Sequence, residues 1–222
     1  MKHRPHRCYD LIAFDWDGTL FDSTTLIVRC IQNACRDLGV PVPSDEAAAY
    51  VIGLGLHDAL QHAVPELPPE RVPELGARYR HHYWANQDTL VLFPGTLEML
   101  QALKVRQHFL AVATGKNRRG LNEALAHSQL QGMFDATRTA DETASKPNPL
   151  MLQQLMAEFG VPPERTLMIG DTTHDLLLAA NAGAPRVAVS YGAHEKEAFD
   201  EHGPLFIAHS TRELHDWLLE NA

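Results

Sequence analysis

The chain has 222 residues, 45% hydrophobic and 21% charged, an ordinary globular composition long enough to bury a core without disulfide support. Its net charge of -9 argues against a binder of the nucleic-acid backbone, and no apolar run approaches the length of a membrane-spanning helix. Cys8, Cys30 and Cys35 form no Cys-x-x-Cys pair, which excludes a zinc or redox motif of that kind and points to thiols in a reducing, cytoplasmic setting.

The opening Met1-Lys2-His3-Arg4-Pro5-His6-Arg7 is basic. No apolar stretch follows it, so it reads as a tail or as the flank of the first strand, not as a secretory signal. Residues 10–14 read as a buried strand that runs into Asp15-Trp16-Asp17-Gly18-Thr19. Side chains at i and i+2 of a strand share a face, so Asp15 and Asp17 are expected to aim at one spot past the strand end. Two adjacent acids repel, which implies a cation, a shared proton or solvent, and Mg²⁺ suits such oxygens.

After Ser23 the pattern turns helical. Ile27, Ile31, Ala34 and Leu38 recur on one face, with Ser23 placed to cap the helix and Gly39 to end it. Residues 45–51 read as helix, broken by Gly53-Leu54-Gly55-Leu56. Leu56, Leu60 and Val64 suggest another short helix, residues 65–69 a loop, and Val72, Leu75, Tyr79 and Tyr83 a further helix. No strand is expected between Ser23 and Leu90.

Past the breaker Phe93-Pro94-Gly95, strands and helices alternate. Strands are expected at 109–113, 134–137, 166–169, 186–189 and 205–208. Helix stripes run through Leu97 and Leu100, Leu121 and Leu125, Leu152 and Leu155, Leu176 and Leu177, and Leu214 and Leu218. Continuous apolar strands alternating with helices predict a parallel sheet covered on both faces. The expected fold is therefore a Rossmann-like α/β core, residues 8–21 and 94–222, interrupted by a helical bundle at 22–93.

Three more polar groups follow apolar segments. Thr114-Gly115-Lys116-Asn117 offers a hydroxyl and backbone N–H donors to an anion, although Thr114 or Asn117 could simply cap a helix. Lys146, beside Pro147, offers a mobile cationic head; a surface lysine in a turn is the plainer alternative. Asp171 and Asp175, four apart, would share one face of a helix, and with Asp15 and Asp17 would make a hard-oxygen cation site. Asp175 could instead complement a helix dipole.

The ordered set Asp15-x-Asp17-Gly18-Thr19, Thr114-Gly115, Lys146-Pro147 and Gly170-Asp171-x₃-Asp175 resembles the four motifs of the haloacid dehalogenase-like hydrolase superfamily. The insertion after the first motif matches the cap of its phosphoglycolate-phosphatase-like branch. The resemblance implies a Mg²⁺-dependent phosphatase working through an aspartyl-phosphate on Asp15, with Asp17 as general acid and base. It implies metal ligation by Asp15, the Asp17 carbonyl and Asp171, with Asp175 in or near the shell. It implies that Thr114 and Lys146 bind the phosphoryl oxygens with N–H groups of Gly18 and Gly115. The family's dehalogenases lack the acid at the position of Asp17, and its phosphonate-cleaving members carry alanine there.

A sugar-phosphate mutase uses the same motifs but usually has basic cap-loop residues, whereas Gly53-Leu54-Gly55-Leu56 is apolar. A silent phosphate-binding regulator and a receiver-type signalling domain are further alternatives, the latter opposed by the insertion. The expected partner is a small phosphorylated metabolite, with no nucleic acid or membrane, and a monomer or homodimer fits equally. Phosphoglycolate would want a cation near its carboxylate; Arg71, Arg78 and Arg80 could supply one only if their helix faces the cleft. Lys116 is expected near substrate, and Arg118 and Arg119 on a solvated face. His174 is expected to face solvent or cap a helix, and Tyr83 and Trp84 to pack within the cap. His81 and His82 point different ways on a helix, which opposes a shared metal.

Overall fold

The computed structural model describes residues 8–222, and the basic opening at 1–7 lies outside them. In chain order the strands are β1 (Leu11–Phe14), β2 (Phe21–Asp22), β3 (Val91–Leu92), β4 (Phe109–Thr114), β5 (Ala136–Thr139), β6 (Thr166–Gly170), β7 (Arg186–Val189) and β8 (Ile207–Ala208). Among the described residues, one parallel sheet runs in the order β5-β4-β1-β6-β7-β8. Leu11 lies opposite Phe109 on one side and Thr166 on the other.

The helices are α1 (Thr24–Leu38), α2 (Asp45–Tyr50), α3 (Leu56–Ala63), α4 (Val72–Asn86), α5 (Thr96–Val105), α6 (Arg118–His127), α7 (Leu150–Phe159), α8 (Thr173–Asn181) and α9 (Thr211–Asn221). Strand alternation divides the core. Ile12 and Phe14 pack with Leu100 of α5 and Leu214 of α9, while Leu11 and Ala13 pack with Leu152 of α7 and Leu178 of α8. Both faces of β1 are thus covered, which is why its four residues are all apolar and buried.

α1 to α4 close over a core of their own, including Ile31, Ala34, Leu60 and Leu75. Gly39 ends α1 in the left-handed conformation. The antiparallel pair β2-β3 stands where the chain leaves and re-enters the sheet unit. Ser23 departs from expectation: it precedes α1 but makes no side-chain cap, because its hydroxyl donates to Asp17 Oδ1 at 2.8 Å. The fifth strand pairs from Ala136, later than expected, because Asp135 turns its carboxylate back to accept from the Leu110 N–H.

Strand order runs one way from β1 through β4 to β5 and the other way through β6, β7 and β8. The reversal leaves a crevice beyond the carboxyl ends of β1, β4 and β6, where open α/β sheets bind ligands.

Candidate active site

Four segments bring polar groups to that crevice. Asp15 and Asp17 follow β1, Thr114 ends β4, Asp171 follows β6, and Lys146 arrives from the loop after β5. Asp15, Asp171 and Asp175 are all buried, and each offers a carboxylate oxygen within 4.8 Å of the others. Lys146 lies between two of them, 2.6 Å from Asp15 Oδ1 and 2.6 Å from Asp175 Oδ1. The surface-turn alternative is set aside and the head is not mobile: with 2% exposure Lys146 is fixed by two carboxylates, one of them far away in sequence. Burial alone would lower its pKa, but Asp15 and Asp175 outweigh burial and raise it.

Asp175 is not paired with Asp171 on a helix face, since α8 begins only at Thr173. Asp171 precedes the helix, accepting from Thr19 Oγ1 at 2.9 Å and from Ala193 N at 2.7 Å. Asp175 completes a capping box, taking Thr172 Oγ1 at 2.7 Å on its other oxygen. Gly18 allows this arrangement. It has a φ of +78°, and a Cβ there would stand 2.0 Å from Asp171 Oδ2.

Three carboxylates against one ammonium leave a formal charge of -2 in a buried space. Burial pushes the Asp15 carboxyl up to about 7, with Lys146 pulling against it, and burial with Asp15 and Asp175 raises Asp171 well above its usual range. Asp15 Oδ2 is buried without a hydrogen-bond donor among the described residues. An orphaned oxygen beside two further carboxylates fits a hard divalent cation. The Asp17 carboxylate stands outside this trio. The strand has ended by then, and it faces Ser23 Oγ and, at 3.0 Å, Lys116 Nζ.

Thr114 is buried, and Asn117, not Thr114, caps α6 by accepting from Gly120 N. Lys116 reaches past Asp17 to the Tyr83 hydroxyl of α4 at 2.9 Å. Burial would lower its pKa, but Asp17 and then Tyr83 hold it above the usual lysine value.

The helical unit meets the sheet unit along this crevice. A Cβ on Gly115 would lie 2.3 Å from the Leu54 carbonyl oxygen and 2.5 Å from that of Gly53. Gly55 N donates to Ser145 Oγ at 2.8 Å. His174 Nε2 and His194 Nε2 both donate to the Tyr50 carbonyl, at 2.8 and 2.9 Å. His174 is therefore buried, neither solvent-facing nor a cap, and burial drives its pKa down to about 4. His194 carried no sequence signal. Its Nδ1 accepts from Thr173 N, so a ring that also donates from Nε2 is neutral.

Between the two units is a cavity of about 460 Å³. Asp15, Asp17, Thr114, Gly115 and Lys116 form its sheet-side wall, and Ile27, Ile31, Tyr79 and Tyr83 part of its helical wall. Tyr83 packs against the cap core as expected and also lines the cavity, and Trp84, half exposed, lines it too. α4 also presents Arg80 to it; Arg71 and Arg78 do not line it. Arg119 lies on a solvated face as expected, 74% exposed, with its guanidinium 5.2 Å from the Trp84 ring centroid. Arg118 is half-buried against Glu142 and Thr137.

The chain is 35% identical over 210 residues to "Probable phosphatase IndB" of Dickeya dadantii (strain 3937), covering 92% of this chain and 91% of the relative. It is 32% identical over 213 residues to the phosphoglycolate phosphatase of Aliivibrio fischeri (strain ATCC 700601 / ES114), covering 92% and 94%. A solved structure of a predicted phosphoglycolate phosphatase from Haemophilus somnus 129PT superposes with a TM-score of 0.84 at 26% identity, covering 97% of this chain and 98% of that one. The family model described as haloacid dehalogenase-like hydrolase matches residues 12–189, and the chain belongs to that family.

Proposed function

We propose that this hydrolase is a Mg²⁺-dependent phosphatase of small phosphorylated metabolites that works through an aspartyl-phosphate on Asp15. The observation that carries the reading is Asp15 itself. One of its oxygens is held by Lys146, and the other is buried without a donor beside two more carboxylates at the edge of the cavity.

Asp15 attacks phosphorus, and the alcohol oxygen departs with a proton from Asp17. Water then gives a proton back to Asp17 and attacks the same phosphorus. The Asp15 carboxylate leaves, and inorganic phosphate is released. A covalent intermediate splits one difficult displacement into two, and an acid/base at the position of Asp17 contributes about 10²–10⁴ in rate. Lys146, the Thr114 hydroxyl and the N–H groups of Gly18 and Gly115 bind the phosphoryl oxygens. Mg²⁺ would be held by the Asp15 and Asp171 carboxylates with the Asp17 carbonyl, Asp175 standing in or next to its shell, and would offset the repulsion between carboxylate and phosphate ester. Residues 22–93 serve as the cap that excludes bulk water, and the enzyme acts in the cytoplasm.

The test is phosphate release from a panel of esters with Mg²⁺ or EDTA, comparing wild type with Asp15→Asn. Mg²⁺-dependent turnover lost in the variant is the expected result. No turnover of any ester by a folded, Mg²⁺-binding protein would move the assignment to a mutase or a silent phosphate binder.

A further inference from the structure

The alcohol half of the substrate is written in the cavity walls. We infer that it carries a planar aromatic ring and not a second carboxylate or phosphate. The inference rests on the phosphatase reading and adds the substrate class to it.

Charge gives the first argument. The lining holds three cationic side chains, Arg80, Lys116 and Arg119, against four carboxylates, Asp15, Asp17, Asp88 and Glu123. Lys116 is occupied by Asp17 and Tyr83, and Arg119 by Glu123 at 2.9 Å. Only Arg80 lacks a hydrogen bond or ion pair with the described residues. Asp15 is itself held by Lys146, so once the pairs are set aside the lining offers an anionic leaving group one unengaged cation, Arg80, against one carboxylate, Asp88, and no net positive charge.

Shape gives the second. The cap wall offers Ile27, Ile31, Val51, Ile52 and Leu56, an apolar surface that cannot hydrogen-bond a carboxylate. Beside it stand the rings of Tyr79, Tyr83 and Trp84, of which Tyr79 and Tyr83 stack on each other and Tyr83 carries Lys116 Nζ 4.7 Å from its centroid. Trp84 is 41% exposed and already holds a planar guanidinium on its ring. Arg80 and Arg119 can both stack on a ring as well as pair with an anion.

Size gives the third. At roughly 30 Å³ per water-sized group, a glycolate of five non-hydrogen atoms fills about 150 Å³, and a phosphoryl group about as much again. A cavity of about 460 Å³ then keeps space for the further atoms of a ring.

Phenol is a better leaving group than glycolate, so the decisive comparison is binding and not kcat. Calorimetry on Asp15→Asn with Mg²⁺ would compare phenyl phosphate and 1-naphthyl phosphate with phosphoglycolate and pyrophosphate, and wild-type KM values would give the same order independently. At least tenfold tighter binding of the aromatic esters is expected. Trp84→Ala should cut that preference about fivefold, and Trp84→Phe should keep it. Equal or tighter binding of phosphoglycolate or pyrophosphate, or a preference untouched by Trp84→Ala, overturns the inference. Mg²⁺-dependent turnover would then leave the phosphatase reading standing, whereas no turnover of any ester removes both.

Discussion

Replacing Gly115 with alanine tests whether the contact between cap loop and phosphate-side loop sets the active geometry. The added Cβ would stand 2.3 Å from the Leu54 carbonyl oxygen, where real contacts seldom fall below 3.4 Å. Both obstructing atoms nearest it are backbone, so no side chain can swing aside. The loop at 53–55 must therefore recede by about 1 Å. The neighbouring bond from Gly55 N to Ser145 Oγ is 2.8 Å long, and a shift of that size takes it out of range. One hydrogen bond contributes about 1 kcal/mol, which for a chain this long lowers Tm by about 2–4 °C. Activity should suffer far more, because misplacement by about 1 Å costs roughly 10²-fold in rate. Steady-state kcat/KM and a thermal melt on one preparation decide the matter. A kcat/KM within threefold of wild type would refute the reasoning, because the loop would then be free to move without consequence.

Three further outcomes are expected. Lys146→Met leaves Asp15 and Asp175 buried without their shared cation, so urea unfolding without divalent metal should show a loss of about 3–5 kcal/mol; a loss below 1 kcal/mol would contradict the buried pairing. Mg²⁺ at a hundred times its Kd should add about 2.7 kcal/mol of stability, and Asp171→Asn should lose most of that gain in a thermal-shift titration. His174 is held neutral in the fold with its pKa lowered to about 4, so the unfolded chain takes up the proton first as pH falls below about 6.5. Its contribution is complete above that pH and declines by about 2 kcal/mol by pH 5. The stability difference between pH 7.5 and pH 5 should shrink by about that amount in His174→Asn, and an unchanged difference would rule the titration out.

Legibility in the sequence followed the range of each interaction. β1 was readable because a strand covered on both faces must be apolar at every position, as residues 11–14 are. Asp15, Thr114 and Asp171 stood out because each follows such a run. The burial of Lys146 was not readable locally, since Asp15 lies 131 residues away in the chain. Ser23 looked like a helix cap because its true partner, Asp17, was equally plausible as a residue facing a ligand. Thr19 stood out only as a member of the first motif, with nothing to show that its hydroxyl serves Asp171, and His194 gave no signal, for a histidine in a loop is ordinary until the fold places Tyr50 beside it.

Under the proposed function, docking and substrate selection would fall to different atoms of the helical unit. Docking relies on its main chain, with the Gly53 and Leu54 carbonyls against Gly115, Gly55 N on Ser145 and the Tyr50 carbonyl on His174 and His194, and on the Tyr50 ring, which stacks on His194 and meets His174 edge-on. The cavity wall relies on its side chains, Ile27, Ile31 and Tyr79 among them. Wall residues can therefore be exchanged without removing a docking hydrogen bond, which lets one closed geometry serve different leaving groups. Tyr83 is the exception. Its ring lines the cavity, and its hydroxyl accepts from the same ammonium that stands 3.0 Å from Asp17. A change at that one wall position reaches the proposed acid through Lys116, so selection of the leaving group and its protonation are coupled there and nowhere else among these contacts.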